Sequence, residues 1–497
     1  MSAKKPNIMF FMADQFRWDC LACMDNPVIR TPNLDAIAER GMLFRNAFTP
    51  NPICVPARAT IMTGNYSHEC TGSKNNNGRI RDGQPLLTEV LKSEGYRTYA
   101  MGKLHFVPYQ PPGKPRLVHG FEHVDLHESG RMLAKFDPEG HQRGIEDYYD
   151  YLHEVGWGGY TRAHGIGNND VRPCPAPLPK EHCVDHWIAD RTLQQIERHG
   201  RESPDRPFFM FMSSPKPHSP YDPPRPYDRI YDPRRMPEPF GSWEDVADRD
   251  PSLEAERFTR AMDSLSPEAI QVIRSYYYGC ITFLDEQIGR VMRDIEDRGL
   301  LENTIVLFTA DHGDLLGDFG TFFKMNHLNG SVRIPLIMSG PGVQPGVQSE
   351  ALVGLQDILP TLAAAAGADI GQSVHGLDLS AHLSDGQVPV REVFYAQTGD
   401  DPRQSAMVCD GAWKYIHSQR GGIEELYDQL NDPGELMNRA HDPGQADRLS
   451  HYRARLRECA EAVGDTAILD GNGFATSPLD RDAMRKRPIA GMGWRYY

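Results

Sequence analysis

Five short apolar segments, separated by helical patterns, constrain the fold of this chain more than any other feature of its sequence. Each is a near-continuous run of large apolar residues, as in a parallel strand that is buried on both faces. The segments are residues 7–13, 96–101, 207–213, 304–310 and 334–339. Helical patterns separate them, chiefly over residues 32–40, 86–95, 182–199 and 267–298. This alternation predicts an α/β fold with a large, mainly parallel sheet that helices cover on both faces.

The pattern changes near residue 391. Short alternating segments at 393–395 and 405–417 are followed by a helical pattern over 446–463. We therefore expect a large domain over residues 1–390, a smaller α+β domain over 391–470 and a tail over 471–497. The tail is rich in Gly, Arg and aromatic residues, so it is either disordered or docked, and the aromatic residues favour docking on a neighbouring subunit.

Composition excludes several classes of protein. The 497 residues carry a formal net charge of −15, which argues against a nucleic-acid scaffold or a polybasic membrane binder. No apolar run reaches the roughly 18 residues that span a bilayer, and no secretory cleavage site follows the first apolar segment. We expect a soluble, cytoplasmic protein.

The cysteines do not indicate a disulfide framework. They number nine, an odd count scattered along a long chain. Cys20 and Cys23 form a C-x-x-C pair, but no second pair or histidine cluster at zinc spacing accompanies it. We interpret the pair as small apolar residues packed near the first strand.

Polar side chains follow four of the apolar segments, at the point where each predicted strand ends. In open α/β sheets ligands bind beyond the carboxyl ends of the strands, so these side chains are expected to converge at one edge. They are of the metal-ligating and acid/base types. The residues are Asp14 and Gln15, Lys103 and His105, Lys216 and His218, and Asp311 and His312.

A cysteine at a predicted helix start is the most distinctive local feature. Cys54 comes two residues before Pro56, four before Arg58, and shortly before Thr63 and Gly64. Proline is favoured in a first helical turn, and a helix N-terminus attracts anions. The fork of Arg58 can hold an oxyanion or the group at position 54. The alternative is a buried structural cysteine with, at most, a lowered pKa.

The spacing C-x-P-x-R-x4-T-G resembles the type I sulfatase signature of the alkaline phosphatase superfamily. The resemblance implies that a formylglycine-generating enzyme oxidises Cys54 to Cα-formylglycine, whose hydrated form is the nucleophile. Residues 425–435 resemble the ELYDL-x-x-DP-x-E segment of sulfatases. In that family it lies near the junction with a smaller C-terminal domain, which contains a four-stranded antiparallel sheet. Residues 311–340 look especially like choline sulfatases and their bacterial relatives.

The resemblance also assigns the candidate site residues. It implies one divalent metal ion, with Ca²⁺ as the first candidate. Mn²⁺ is the second candidate, because an amide at position 15 and an imidazole at position 312 make the site less strictly a calcium site. It implies that His105 contacts the formylglycine diol and that His218 is the general acid for the leaving alcohol. The implied metal ligands are Asp14, Gln15, Cys54, Asp311 and His312. The implied catalytic residues are Cys54, Arg58, Lys103, His105, His218 and Lys324, and the implied substrate-binding residues are Asn75, Lys103, His218 and Lys324.

These features predict a sulfuric ester hydrolase that releases inorganic sulfate and an alcohol from a small anionic ester. A phosphonate monoester or phosphodiester hydrolase is the first alternative; the Asp-Gln and Asp-His pairs favour it, whereas Lys103 and His105 oppose it. A choline sulfatase is the second, with residues 148–151 and 157–160 as a possible aromatic cage. The third is a non-catalytic binding protein with an unmodified Cys54. We expect no nucleic-acid partner and a homo-oligomer, either a dimer or a tetramer.

Overall fold

The computed structural model describes residues 4–106, 115–129, 143–246 and 248–485, and its largest element is an eight-stranded sheet. The strand order across this sheet is β4-β3-β5-β1-β6-β7-β2-β8. All neighbouring pairs are parallel except those that involve β7, so the sheet is mainly parallel, as predicted. The strands are β1 (Asn7–Asp14), β2 (Gly41–Phe48), β3 (Arg97–Gly102), β4 (His123–Leu126), β5 (Phe208–Pro217), β6 (Thr304–Ala310), β7 (Leu336–Ser339) and β8 (Val347–Gly354).

Helices cover both faces of this sheet. One layer contains α6 and α8, which pack on each other and on β5, and the other contains α2, α4 and α10, which pack on one another. Among the described residues the helices are α1 (Pro32–Glu39), α2 (Cys54–Thr63), α3 (Ser67–Cys70), α4 (Leu87–Ser93), α5 (Asp147–Glu154), α6 (Val184–Glu202), α7 (Ser252–Thr259), α8 (Pro267–Asp297), α9 (Asn329–Val332), α10 (Ile358–Ala366), α11 (Ser380–Ser384), α12 (Ala446–Ala462) and α13 (Arg481–Met484).

Strand β1 lies at the centre of the sheet. All eight of its residues are buried, and it pairs with β5 on one side and β6 on the other. Its apolar side chains therefore contact both helix layers, which explains why the run shows no polar alternation. Phe10 is fully buried and packs edge to face on Phe211 of β5, with ring centroids 5.0 Å apart.

All five apolar segments form strands, but the last one differs from its predicted direction. Strand β7 is antiparallel to both β6 and β2. Two antiparallel strands need no helical crossover, and the connection from β6 to β7 is free to carry site residues. The sequence pattern missed β2, β4 and β8, because β2 contains Arg45 and Asn46, β4 is short, and β8 is an edge strand whose first half is polar and largely exposed.

A second, antiparallel sheet begins at Phe394, within the segment predicted as the smaller domain. Its order is β12-β11-β10-β9, and one face packs on the first domain through residues such as Phe48 and Leu352, while α12 covers the other face. The strands are β9 (Phe394–Thr398), β10 (Ser405–Cys409), β11 (Trp413–Ser418) and β12 (Ile423–Asp428). The domain boundary at residue 390 stays a prediction.

The beginning of the predicted tail packs on its own chain. Residues 469–474 form the hairpin β13 (Leu469–Asp470) and β14 (Gly473–Phe474), and Arg481 and Arg485 both bind Glu254 of α7. Of the aromatic residues in this tail, Phe474 stacks on His417 of the same chain, whereas Trp494, Tyr496 and Tyr497 lie outside the described residues.

Two further expectations can be compared with the structure. All nine cysteines are free, in agreement with the absence of a disulfide framework. Within the described ranges, no helix is both long enough and apolar enough to cross a membrane.

Replacing Phe10 with alanine should lower the free energy of unfolding by about 3–5 kcal/mol, because it empties a large site in a fully buried strand. Chemical denaturation of the variant measures this loss. Leu430→Ala, at a side chain that is 72% exposed, is the matched control and should change the value by less than about 0.5 kcal/mol. Equal, small losses in both variants would contradict the central position of β1.

Candidate active site

The polar residues that follow four strands meet at one edge of the large sheet. Asp14 is the last residue of β1, Lys103 follows β3, His218 follows β5, and Asp311 and His312 follow β6. The main chain already joins two of these strand ends, since the N–H of His218 donates to the carbonyl oxygen of Asp14 at 3.0 Å. The sheet thus delivers side chains that are far apart in sequence to one place.

Four of these side chains form a compact buried cluster. The potential ligand atoms of Asp14, Cys54, Asp311 and His312 all lie within 4.8 Å of one another, and all four residues are buried. The sulfur of Cys54 lies 3.1 Å from Nε2 of His312 and 3.8 Å from Oδ1 of Asp14. Residue 54 therefore lies inside the cluster rather than beside it.

The imidazole of His312 has a fixed orientation. Its Nδ1 lies 3.0 Å from the carbonyl oxygen of Gly313, which can only accept a hydrogen bond, so Nδ1 carries the hydrogen. Nε2 then faces Cys54, Asp14 and Asp311. A second hydrogen bond of this kind is what orients histidine ligands in metal sites.

Two lysines bring positive charge to the cluster. The ammonium group of Lys103 contacts Asp14, and that of Lys324 contacts the amide oxygen of Gln15. Burial opposes the charge on Asp14, but Lys103, together with other nearby cations, outweighs burial and holds the pKa of Asp14 well below its usual range. Burial also disfavours a thiolate at Cys54, yet the two lysines lower the pKa of this thiol to about 6.

Cys54 begins α2, and the surrounding backbone explains why. Ile53 is extended, Cys54 is the first helical residue, and Gly64 ends the helix in the left-handed conformation. The side-chain oxygen of Asn76 accepts a hydrogen bond from the N–H of Val55 at 3.1 Å, which satisfies one of the unpaired donors of the first turn. All ten residues of α2 are buried, so the helix is held from every side.

Arg58 ties this helix to three strands. Its Nε donates to Oδ2 of Asp311 at 2.8 Å, and its Nη1 donates to the carbonyl oxygen of Lys103 at 2.8 Å and to Oγ of Ser213 at 2.9 Å. The guanidinium group is 1% exposed. Arg58 thus positions the metal-ligand candidate Asp311 and the backbone at Lys103, and its assignment as a catalytic residue stays a prediction.

His218 faces a cavity of about 680 Å³ whose wall includes Tyr148, Tyr149 and Phe283. Nδ1 of His218 lies 2.9 Å from the carbonyl oxygen of Ser219, so this nitrogen carries a hydrogen. The assignment of His218 as the general acid stays a prediction.

The side chain of Asn75 is held by the C-terminal part of the chain. Its amide nitrogen donates to Asp400 at 2.8 Å, whereas the neighbouring Asn76 is the residue that contacts α2. The run of three asparagines hid this difference of one position. The substrate-binding assignment of Asn75 stays a prediction.

Sequence reasoning missed the residues that support the cluster. Asp314 accepts hydrogen bonds from the amide of Gln15 at 2.6 Å, from the phenol of Tyr221 and from two backbone N–H groups. Asp314 follows the Asp311-His312 pair directly, which is a usable signal, whereas nothing near Tyr221 in the sequence indicates this contact.

The residues at this edge fit a divalent metal ion. The carboxylates of Asp14 and Asp311 are hard oxygen donors, which suit calcium. The Nε2 of His312 is a borderline donor, so the set selects calcium less strictly than an all-oxygen set would and also suits manganese. These donor atoms already lie close together, and two carboxylates in one buried cluster repel each other unless a cation lies between or beside them. The amide oxygen of Gln15 contacts Lys324, and its backbone N–H donates to Asp311 at 3.0 Å. The assignment of Gln15 as a metal ligand stays a prediction.

Glu128 holds the turn that carries His105. Its Oε1 accepts the N–H groups of Leu104 at 2.8 Å and His105 at 2.7 Å, and His105 has a positive φ of 56°. Glu128 is fully buried, and burial raises the pKa of its carboxyl group to about 7. No feature of the sequence around residue 128 indicates this contact.

Glu128→Gln should flatten the pH dependence of stability. The folded pKa is raised from 4.5 to about 7, so the stability that comes from the uncharged carboxyl is fully present below pH 4.5 and is lost as the pH rises through 7. From pH 5 to pH 8 the wild type should lose up to about 3 kcal/mol more than the variant, whose amide oxygen can still accept both N–H groups. Urea denaturation at several pH values measures this, with the exposed Glu302→Gln as control; parallel curves for wild type and Glu128→Gln would contradict it.

Comparison with known proteins adds independent findings. The sequence model of a family described as Sulfatase matches residues 6–368, and a model described as N-sulphoglucosamine sulphohydrolase, C-terminal, matches residues 317–462. An arylsulfatase of Clostridium perfringens is 30% identical to the chain over 498 aligned residues, which cover 96% of this chain and 99% of that protein. A choline-sulfatase of Rhizobium meliloti is 28% identical, with coverage of 88% and 83%.

Solved structures share the fold. A phosphonate monoester hydrolase of Agrobacterium radiobacter superimposes with a TM-score of 0.77 at 24% identity, over 92% of this chain and 96% of that one. At this identity the likeness concerns the fold alone.

Proposed function

We propose, because this chain belongs to the sulfatase family, that residue 54 is its nucleophile and that Cys54 is converted to formylglycine before it acts. The chain is a hydrolase acting on sulfuric ester bonds. The observation that carries the finer proposal is the position of Cys54, whose sulfur lies between His312 and Asp14 within the buried cluster. A formylglycine-generating enzyme is the partner that this conversion requires.

Formylglycine at position 54 and a divalent metal ion would supply the chemistry of this site. A hydrated formylglycine supplies an oxygen nucleophile, and a divalent metal ion supplies positive charge for the sulfate oxygens and for that nucleophile. Asp14, Asp311 and His312, with Gln15 and residue 54, are the residues that would hold the metal ion. Lys103 and Lys324 flank them and add positive charge where a sulfate group would bind.

His218 supplies the proton that the leaving alcohol needs. When the S–O bond to the alcohol breaks, the departing oxygen gains negative charge, and a protonated Nε2 neutralises it. The Nδ1 contact with Ser219 fixes which nitrogen does this. His105, on the turn that Glu128 holds, is proposed to take a proton at residue 54 in the later step that releases inorganic sulfate.

A phosphonate monoester or phosphodiester hydrolase is the second candidate. The Asp14-Gln15 and Asp311-His312 pairs favour it, because both resemble the pairs of phosphonate monoester hydrolases. Lys103 and His105 oppose it, because phosphonate monoester hydrolases generally have uncharged groups at the matching positions.

Choline sulfate is a narrower possibility within the main proposal. Tyr148 and Tyr149 line the cavity at His218, and an aromatic wall attracts a quaternary ammonium group. However, both acids in that wall are engaged, since Asp185 accepts a hydrogen bond from Ser214 and Asp222 pairs with Lys216. The cavity thus offers aromatic faces rather than unpaired carboxylates.

Cys54→Ala should lower the hydrolysis of aryl sulfate by about 10³-fold or more, because it removes the nucleophile. The wild type is co-produced with a formylglycine-generating enzyme, and mass spectrometry of the peptide around residue 54 verifies replacement of the thiol by a carbonyl. Initial rates are compared for aryl sulfate, choline sulfate, aryl phosphate and aryl phosphonate. A preference for the phosphonate would move the assignment to the second candidate, and no turnover by fully converted protein would defeat both.

His218→Asn should affect poor leaving groups most. The rate with 4-nitrophenyl sulfate should fall by about tenfold, and the rate with phenyl sulfate by about 10³-fold, because the more basic phenolate depends more on a proton donor. The slope of rate against leaving-group pKa measures this difference. The exposed His451→Gln is the matched control; an equal loss for both esters in His218→Asn would show that His218 is not the acid.

A further inference from the structure

A second cavity lies next to the nucleophile, on the side of the C-terminal sheet. It has a volume of about 830 Å³, and its wall includes Ile53 and Met325, the chain neighbours of Cys54 and Lys324. Helix α7 and the ends of β9, β10 and β11 form the rest of the wall. We call this space the arginine cleft, after Arg403 and Arg420, which line it.

The two arginines of the arginine cleft lack acidic partners. Among the described residues, no carboxylate oxygen lies within 4.0 Å of either guanidinium group. Many other arginines at the surface do have such a partner, as Arg453 has in Glu424 and Arg260 has in Glu256. The two guanidinium groups of the arginine cleft line one cavity without such a partner.

The acids in the same wall are already engaged. Asp400 accepts hydrogen bonds from the hydroxyl of Ser73 and the backbone N–H of Lys74, at 2.7 and 2.8 Å, and Glu256 pairs with Arg260. The negative charge of Asp250 acts on Arg420, but the carboxylate of Asp250 accepts a hydrogen bond from the N–H of Ser252 at 2.8 Å. These contacts leave the two guanidinium groups as the donors that an incoming ligand can use.

The two positive charges also repel each other. Burial and the charge of Arg403 both lower the pKa of Arg420, which is half-buried. An anion bound between two such groups relieves this repulsion. It also accepts hydrogen bonds from the guanidinium N–H groups, whose planar fork binds two oxygens of a carboxylate or sulfate at once.

We propose that the arginine cleft binds a second anionic group, a carboxylate or a sulfate, on the alcohol part of the substrate. The preferred substrates are then sulfate esters of acidic alcohols rather than of neutral ones. This inference rests on the proposed function, because it assigns the cleft to the leaving group of the ester cleaved at residue 54. Asn75 lies in the same wall, which gives its predicted substrate contact a location.

Paired substrates test this inference. The acidic substrates are 4-sulfooxybenzoate and the longer 4′-sulfooxybiphenyl-4-carboxylate, and the neutral partner of each is its methyl ester. The measured quantity is the kcat/KM of the acid divided by that of its ester, in wild type and in Arg403→Ala/Arg420→Ala. Comparison of this ratio between the two proteins cancels the intrinsic reactivity of each leaving group.

The double substitution should lower the ratio by about tenfold or more for at least one of the two lengths, since each charge-assisted contact is worth up to about tenfold. Raising the salt concentration should reduce the ratio in the wild type and change it little in the variant. Arg293→Ala, at an exposed arginine of α8, is the matched control and should keep the wild-type ratio. A ratio that is the same in wild type and in the double variant would overturn the inference while leaving the proposed function intact.

Binding of the product alcohol separates the inference from the proposed function. Calorimetric titration with 4-hydroxybenzoate and 4′-hydroxybiphenyl-4-carboxylate requires no turnover. Tighter binding to the wild type than to the double variant, by about tenfold, supports the arginine cleft even if no ester is hydrolysed. Equal binding to both proteins contradicts it.

Discussion

The active site of this protein depends on one buried ion pair, between Arg58 and Asp311. The guanidinium group reaches from α2 to the end of β6, and it also holds the backbone after β3 and a side chain of β5. A buried charge without its partner is strongly unfavourable, so each of these elements can occupy only one position relative to the others. Because α2 begins at Cys54, this constraint also places residue 54 among Asp14, Asp311 and His312.

Charge balance follows from the same arrangement. Two carboxylates, a thiol of lowered pKa and an imidazole lie together in a buried cluster. Lys103 contacts Asp14 of this cluster, and Lys324 contacts the neighbouring Gln15, so both bring positive charge to it. The C-terminal sheet completes the site from outside, since Lys414 of β11 binds Glu435 and the carbonyl oxygen of His327. The smaller domain is therefore attached to the segment after Lys324 by hydrogen bonds that Lys414 donates to the carbonyl oxygen of His327 and to Oδ1 of Asn329. The same domain carries the two arginines of the arginine cleft.

Much of the fold, and the residue types of the site, could be predicted from the sequence. Segments such as 7–13 and 304–310 are buried on both faces, so their apolar pattern alone identifies them, and the polar residues that follow them must lie at one edge. Other features depend on contacts between distant segments. Strand β7 has the same composition as a parallel strand, Glu128 acts through backbone N–H groups, and the contrast between Asn75 and Asn76 is a matter of one position. No local pattern records such contacts.

The burial of α2 has a consequence for the order of events in the life of the chain. Cys54 is 1% exposed, and every residue of its helix is buried beneath other elements. A separate enzyme cannot reach a side chain that is enclosed in this way, so any oxidation of Cys54 by such an enzyme has to take place while the segment is still unfolded. Synthesis and folding then compete with maturation, and molecules that fold first keep a thiol at position 54 for as long as they stay folded.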